Sequence, residues 1–307
     1  MRRFLFFLPV LPISILLYGV LPSGDVRGSD GIVGAEICKG CHEDRYQTYL
    51  QSTHANKAIP GTPSNRDACE TCHGPGAAHV EKSGERGVGI FIFSKRIADA
   101  KSKSAKCLSC HSEFKELGFW DMSKHPASDV SCDNCHTVHS GTRKNLKAPQ
   151  PDLCNICHRS VRMQQNKTSH HPIREGKLKC TDCHDHHGGF GPKMVKTNSF
   201  NDLCYQCHAE KRGPFMWQHP PVDENCLSCH TPHGSNHAKL LQSKPPLLCQ
   251  SCHDESRHPG TIYTRFETFQ GGATSGKNRM FARACLNCHS AIHGGNAPSL
   301  RGQTHVR

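Results

Sequence analysis

Beyond Leu21 this 307-residue chain has no long apolar run, and it lacks the material for an ordinary core. Only 35% of its residues are hydrophobic and 7% aromatic, with two tryptophans and six methionines. That scarcity excludes a self-sufficient globular domain of this length, which has to bury most of its apolar surface to be stable. It also excludes a membrane-spanning helix after residue 21. No cysteine stands outside a Cys-x-x-Cys pair, so an odd reactive thiol is excluded. With 27 glycines and 19 prolines, long regular elements are disfavoured throughout.

Twenty cysteines and 24 histidines are there instead. The cysteines form ten pairs, numbered here motifs 1 to 10: Cys38 and Cys41, Cys69 and Cys72, Cys107 and Cys110, Cys132 and Cys135, Cys154 and Cys157, Cys180 and Cys183, Cys204 and Cys207, Cys226 and Cys229, Cys249 and Cys252, Cys285 and Cys288. Each pair is followed at once by a histidine: His42, His73, His111, His136, His158, His184, His208, His230, His253 and His289. Disulfides or zinc knuckles would account for paired cysteines, but neither needs that histidine. Ten such coincidences have a chance probability of roughly 10⁻¹¹, whereas covalent c-type haem attachment requires the arrangement each time. The thiols add to the haem vinyl groups, and the adjacent histidine reaches the iron from one face.

Ten covalently attached c-type haems are therefore expected, and they supply the apolar mass that the side chains lack. The expected fold is a multihaem cytochrome c: short helices and loops around the haems, little or no β-sheet, and an extended serial haem wire. Without haem the chain should be largely unfolded.

The first residues, MRRFLFFLPVLPISILLYGV, carry Arg2 and Arg3 before a charge-free apolar stretch from Phe4 to Leu21, the pattern of a secretory signal peptide. Pro9 and Pro12 argue against an uncleaved anchor. Cleavage before Ser29 makes 1–28 the signal peptide and places the mature protein outside the inner membrane, in the periplasm. Halving the chain near residue 165 puts five motifs on each side, in an N-terminal half, 29–165, and a C-terminal half, 166–307.

Segments 125–158, 171–208 and 219–253 repeat one unit: His-Pro, then Cys-x-x-Cys-His-x-x-His, then a loop containing lysine, then Leu-Cys-x-x-Cys-His. Within each unit the two motifs lie 22, 24 and 23 residues apart. A further His-Pro, His258-Pro259, precedes motif 10. Repeats of this kind indicate a serial array rather than one core.

With ten histidines used by the motifs, 14 remain for the far faces of ten irons. Repeated context or closeness to a motif selects His54, His79, His125, His139, His171, His187, His219, His233, His258 and His293. His170, His186, His237 and His305 are expected as surface or supporting residues. Methionine is the competing ligand, but Met122, Met163, Met194, Met216 and Met280 recur at no fixed position, so bis-histidine ligation and low potentials are expected. His233 lies three residues after His230, too near to pass round the macrocycle to the same iron. It must serve another haem, and the same holds for His139 and His187.

The stretches GPFMWQHPPVDENCLSCHTPHGSNHAKLL, LCQSCH and ACLNCHSAIHGGNAPS, with ten motifs in about 300 residues, resemble the DmsE/MtrA-type decahaem cytochromes, the family that includes PioA-like proteins. The resemblance implies electron transfer across the outer membrane by a haem wire inside a β-barrel porin. It implies as partners the porin, an extracellular multihaem cytochrome or mineral, and periplasmic or inner-membrane cytochrome donors or acceptors. An enzyme of the multihaem reductase type would need an open iron, commonly marked by a variant motif, and all ten motifs here end in histidine; no catalytic residues are expected. The alternative is a soluble periplasmic shuttle to a terminal reductase. The formal charge of +12 falls to +10 once Arg2, Arg3, Arg27 and Asp25 leave with the signal peptide, and haem propionates offset the rest, so no nucleic-acid partner is expected. Lys95, Lys101, Lys103 and Lys106 are expected to offset propionates or face solvent, and Trp120 and Trp217 to pack on porphyrin.

Overall fold

In a computed structural model of the chain, residues 31–253 and 285–306 are described. The expected signal peptide, 1–28, and the candidate ligand His258 lie outside them. A Cys-x-x-Cys-His motif needs only one helical turn, and most helices here are little longer. Helix α1, Ala35–Leu50, leaves helical geometry at His42, the histidine of motif 1. Helix α2, Ala100–His111, starts at Asp99, whose carboxylate accepts the Ser102 amide at 2.6 Å. Helix α3 is Arg159–Gln165. Pairing between extended segments is limited, among the described residues, to isolated antiparallel bridges. Among the described residues the fold is helix and loop without a sheet.

Contacts divide the chain into two units, one formed by residues 31–47 and 54–92, the other by 48–53 and 93 onward. This division is separate from the five-and-five division of motifs near residue 165, which counts motifs rather than contacts.

The apolar core is as sparse as the composition requires. Tyr49, Ala100, Trp120 and Val195 are the buried hydrophobic side chains among the described residues, and buried polar side chains outnumber them. These polar groups join neighbouring motifs. Asn201 donates to the carbonyls of Val222 and Asp223 at 3.0 and 2.8 Å and accepts the Cys226 amide at 2.8 Å. Gln150 exchanges two 3.2 Å hydrogen bonds with Thr181. Lys103 does not face solvent: it is 2% exposed, with its ammonium 3.4 Å from the Asp133 carboxylate. A buried cation needs a partner, and Asp133, inside motif 4, ties α2 to that motif.

The lysine loops of the three repeats have one backbone conformation. Lys144 and Asn145, Lys193 and Met194, and Lys239 and Leu240 all have φ between 53° and 59°. Two consecutive left-handed residues reverse the chain tightly. The returning strand bridges His136 to Leu146, His184 to Val195 and His230 to Leu241.

Candidate haem sites

The lysine turns fix the motif histidines. In each repeat the carbonyl of the left-handed lysine accepts the ring Nδ1–H of the motif histidine: His136 to Lys144 at 2.9 Å, His184 to Lys193 at 3.2 Å, His230 to Lys239 at 2.9 Å. His73 is held by Phe91 at 2.8 Å and His289 by Thr304 at 2.6 Å. A carbonyl can only accept, so Nδ1 carries the proton and Nε2 is left as a metal ligand.

Among the described residues, motif histidines stand across from a second imidazole in the following pairs. The pairs and their centroid separations are His42–His79 at 6.3 Å, His136–His187 at 6.2 Å, His158–His125 at 6.4 Å and His184–His233 at 6.0 Å. The others are His208–His171 at 6.5 Å, His230–His293 at 6.2 Å and His253–His219 at 6.1 Å. Two metal–nitrogen bonds of about 2 Å, with about 1 Å from each nitrogen to its ring centre, require roughly 6 Å. The pairs fit an iron between them.

The pairing follows a rule. The His-Pro histidine of each repeat faces the second motif of its own repeat: His125 with His158, His171 with His208, His219 with His253. The histidine after the first motif faces the first motif of the repeat before: His187 with His136, His233 with His184, and His293 with His230. Backbone bridges set this register, Ser169 with Ser235 and Trp217 with Gly295. His125 and His171 also reach into the following repeat, donating Nδ1–H to the carbonyls of His186 at 2.8 Å and Pro232 at 2.7 Å, each 61 residues ahead.

The approach needs glycine beside the facing histidine. A Cβ on Gly234, φ +153°, would lie 2.0 Å from the Gln164 oxygen, and one on Gly188, φ +113°, 2.4 Å from the Phe119 oxygen. Burial favours the neutral form of four of the facing imidazoles, the form that metal ligation requires. It depresses His233, His293 and His219, and it takes His187 to about 4 with help from His186 and His136.

The thiols follow an alternation of their own. First cysteines of consecutive motifs hydrogen-bond in the pairs Cys38–Cys69, Cys107–Cys132, Cys154–Cys180, Cys204–Cys226 and Cys249–Cys285. A hydrogen bond from the partner thiol brings Cys69 down to about 7 and Cys132 to about 6. Second cysteines are neighbours in the pairs Cys135–Cys157, Cys183–Cys207 and Cys229–Cys252. With haem attached these sulfurs are thioethers and no longer titrate.

The remaining candidates lie nearby. His54 is in the turn Thr53–Ala55, and the His139 amide donates to the Thr137 hydroxyl at 3.3 Å. His170 has both ring nitrogens engaged, by the Lys167 carbonyl at 2.6 Å and Glu175 at 3.1 Å, and that carboxylate raises its pKa. The His186 ring lies 4.0 Å from that of His187, and the Ser235 hydroxyl accepts the His237 amide at 2.9 Å. Trp120 is buried with its ring edge-on to His187 at 6.2 Å, and the Trp217 indole donates to the Ala297 carbonyl at 2.8 Å. Among the described residues, no helix is long and apolar enough to cross a membrane.

The family model "Doubled CXXCH motif" matches residues 170–213 and 219–258, and "Cytochrome c-type protein NrfB-like" matches 69–149. The chain is 36% identical to "Multiheme cytochrome MtrA" of Shewanella baltica over 87% of this chain and 80% of that protein. It is 26% identical to "High-molecular-weight cytochrome c" of Nitratidesulfovibrio vulgaris over 58% of this chain and 31% of the relative. It is also 23% identical to "C-type polyheme cytochrome OmcC" of Geobacter sulfurreducens, over 60% and 27%. The paired motifs bind c-type haem covalently, and its function is electron transfer without catalysis: the chain belongs to the MtrA-type multihaem cytochromes.

Proposed function

We propose that the mature chain, exported to the periplasm by residues 1–28, carries ten haems, one per motif, and conducts electrons across the outer membrane inside a porin barrel. Each iron is held by two histidines. Seven use the facing pairs above, and His54, His139 and His258 supply the remaining three. The observation that carries the reading is the crossed pairing of rings between repeats, in which His187, His233 and His293 each stand about 6 Å from the motif histidine of the repeat before. Such sharing keeps successive sites in contact, and contact is what stepwise electron tunnelling needs. The haem iron supplies the reversible one-electron couple when bound. The chain's part would be to hold the two imidazoles of each site neutral and oriented, with the cysteines of successive motifs side by side.

A bilayer's hydrocarbon core is about 30 Å thick, and a charged haem wire cannot face lipid, so a closed barrel has to sheathe it. The barrel is a partner, as are an extracellular multihaem cytochrome or mineral on one side and periplasmic or inner-membrane cytochromes on the other. The likeness to MtrA supports this reading. A second reading, a soluble periplasmic shuttle to a terminal reductase, is favoured by one observation, the NrfB-like match at 69–149.

Reconstitution separates the two readings. Haem-loaded protein and its porin are placed in liposomes that contain a reduced dye, and an external ferric acceptor is added. A conduit oxidises the dye much faster than porin alone; equal rates with an intact complex favour the shuttle.

A further inference from the structure

We propose that His305 is a positioning residue for an iron ligand, serving as the Nδ1 partner of His219, and that it sets the motif 9 site apart from those of motifs 5 and 7. The inference rests on the ligand assignments above. His125 and His171 donate Nδ1–H to the carbonyls of His186 and Pro232, each two residues beyond a motif histidine. The carbonyl in that place for His219, one residue before the facing His293 and its glycine, belongs to Ile292, and His219 Nδ1 makes no hydrogen bond to it.

The segment that faces His219 also differs by one extra residue. Motifs 6 and 8 continue His-x-x-His-Gly, at 184–188 and 230–234, whereas motif 10 continues His-x-x-x-His-Gly, at 289–294. In the shorter versions the glycine amide turns back on Asp185 at 3.1 Å and on Thr231 at 3.2 Å, one residue after the motif histidine. In the longer version the same turn runs from the Gly294 amide to the Ala291 carbonyl at 2.9 Å, and the extra residue falls between His289 and that turn.

His219 Nδ1 is left buried with no hydrogen-bond partner among the described residues, and so is His305 Nδ1. An orphaned buried polar group is costly, and here two lie side by side, their rings 5.5 Å apart at 66°. A hydrogen bond of about 3 Å between ring nitrogens, with about 1 Å from each to its ring centre, gives roughly 5 Å. A small ring rotation joins them.

The place of His305 in the repeat strengthens the case. Thr304 accepts from His289 as Lys193 and Lys239 accept from His184 and His230. His305, φ 57°, therefore occupies the turn position of Met194 and Leu240. Where a carbonyl holds the ligand, that residue is apolar; where the carbonyl is lost, it is histidine. An acceptor on Nδ1–H makes the imidazole a stronger donor to iron.

The test is His305→Leu, copying Leu240, in fully haem-loaded protein. Haem content by mass should be unchanged, while one low-spin EPR signal moves and one midpoint potential rises, the others holding. His305→Asn keeps an acceptor and should return both towards wild type. His219→Ala identifies the signal, by converting the same haem to five-coordinate. If His305→Leu moves no signal and no potential, the proposal is overturned; if it produces a five-coordinate haem, His305 is itself an iron ligand and the proposal is equally overturned. If His219→Ala leaves every haem six-coordinate, the ligand reading beneath it has failed instead.

Discussion

Between Val33 and Phe91 one carboxylate fastens two motifs, whereas between Ser123 and His305 backbone turns and bridges recur from repeat to repeat, beside side-chain joints such as Asn201. Glu70, inside motif 2 and 4% exposed, takes the Val33 amide at 3.0 and 3.2 Å, Gly34 at 2.8 Å and Gly76 at 2.7 Å, which fastens the segment entering motif 1. The repeats use left-handed turns, isolated bridges and glycines. A carboxylate joint serves one place. A backbone joint asks only for turn-forming residues and glycine at set positions, so it can be copied along a chain, and each copy completes the metal site of the last.

The comparison breaks most visibly at the C-terminus. A chain ending at His253 loses motif 10 and also His293, which faces His230. Intact mass should show one haem fewer than the full chain, and EPR should show a new high-spin ferric haem at motif 8. A second low-spin set with no high-spin signal would mean that His230 has another partner.

His233→Met comes next. The motif 6 haem should pass from bis-histidine to Met/His ligation, with a higher midpoint potential and a near-infrared Met-ligation band. The motif 8 haem, on His230, should not change. Gly234→Ala tests the backbone joint without touching a ligand. Its Cβ would meet the Gln164 oxygen, so a loss of about 3 kcal/mol in denaturant unfolding is expected, with motif 6 the haem most disturbed.

The smallest and most local effect belongs to the side-chain joint. Glu70→Gln removes the charge but not the bulk, and should cost about 2 kcal/mol. Hydrogen exchange should quicken at Val33, Gly34 and Gly76 and stay unchanged in the repeats. Uniform quickening would erase the distinction between the two kinds of joint.

The motifs and the helix-and-loop fold could be read from the sequence because haem attachment fixes cysteine and histidine spacing rigidly. The argument that His233 cannot serve the iron of His230 needed only the reach of three residues. Which histidine it faces could not be read, because the pairing with His184 depends on the register between Ser169 and Ser235. The lysine loops were visible as a recurring residue, but their use lies in a left-handed carbonyl that any side chain could overlie. Lys103, expected to offset a propionate or face solvent, is out of solvent because the fold brings Asp133 to it, which no local pattern shows. The extra residue before His293 was visible too, but not the unpartnered Nδ1 of His219 beside the ring of His305.

The crossed ligation is tested most directly by iron-edge anomalous scattering from crystals of the haem-loaded protein. The account predicts an iron between the rings of each facing pair, including one between His184 and His233 and one between His230 and His293. An iron held by His230 and His233 together, or a facing pair with no iron between its rings, would contradict it.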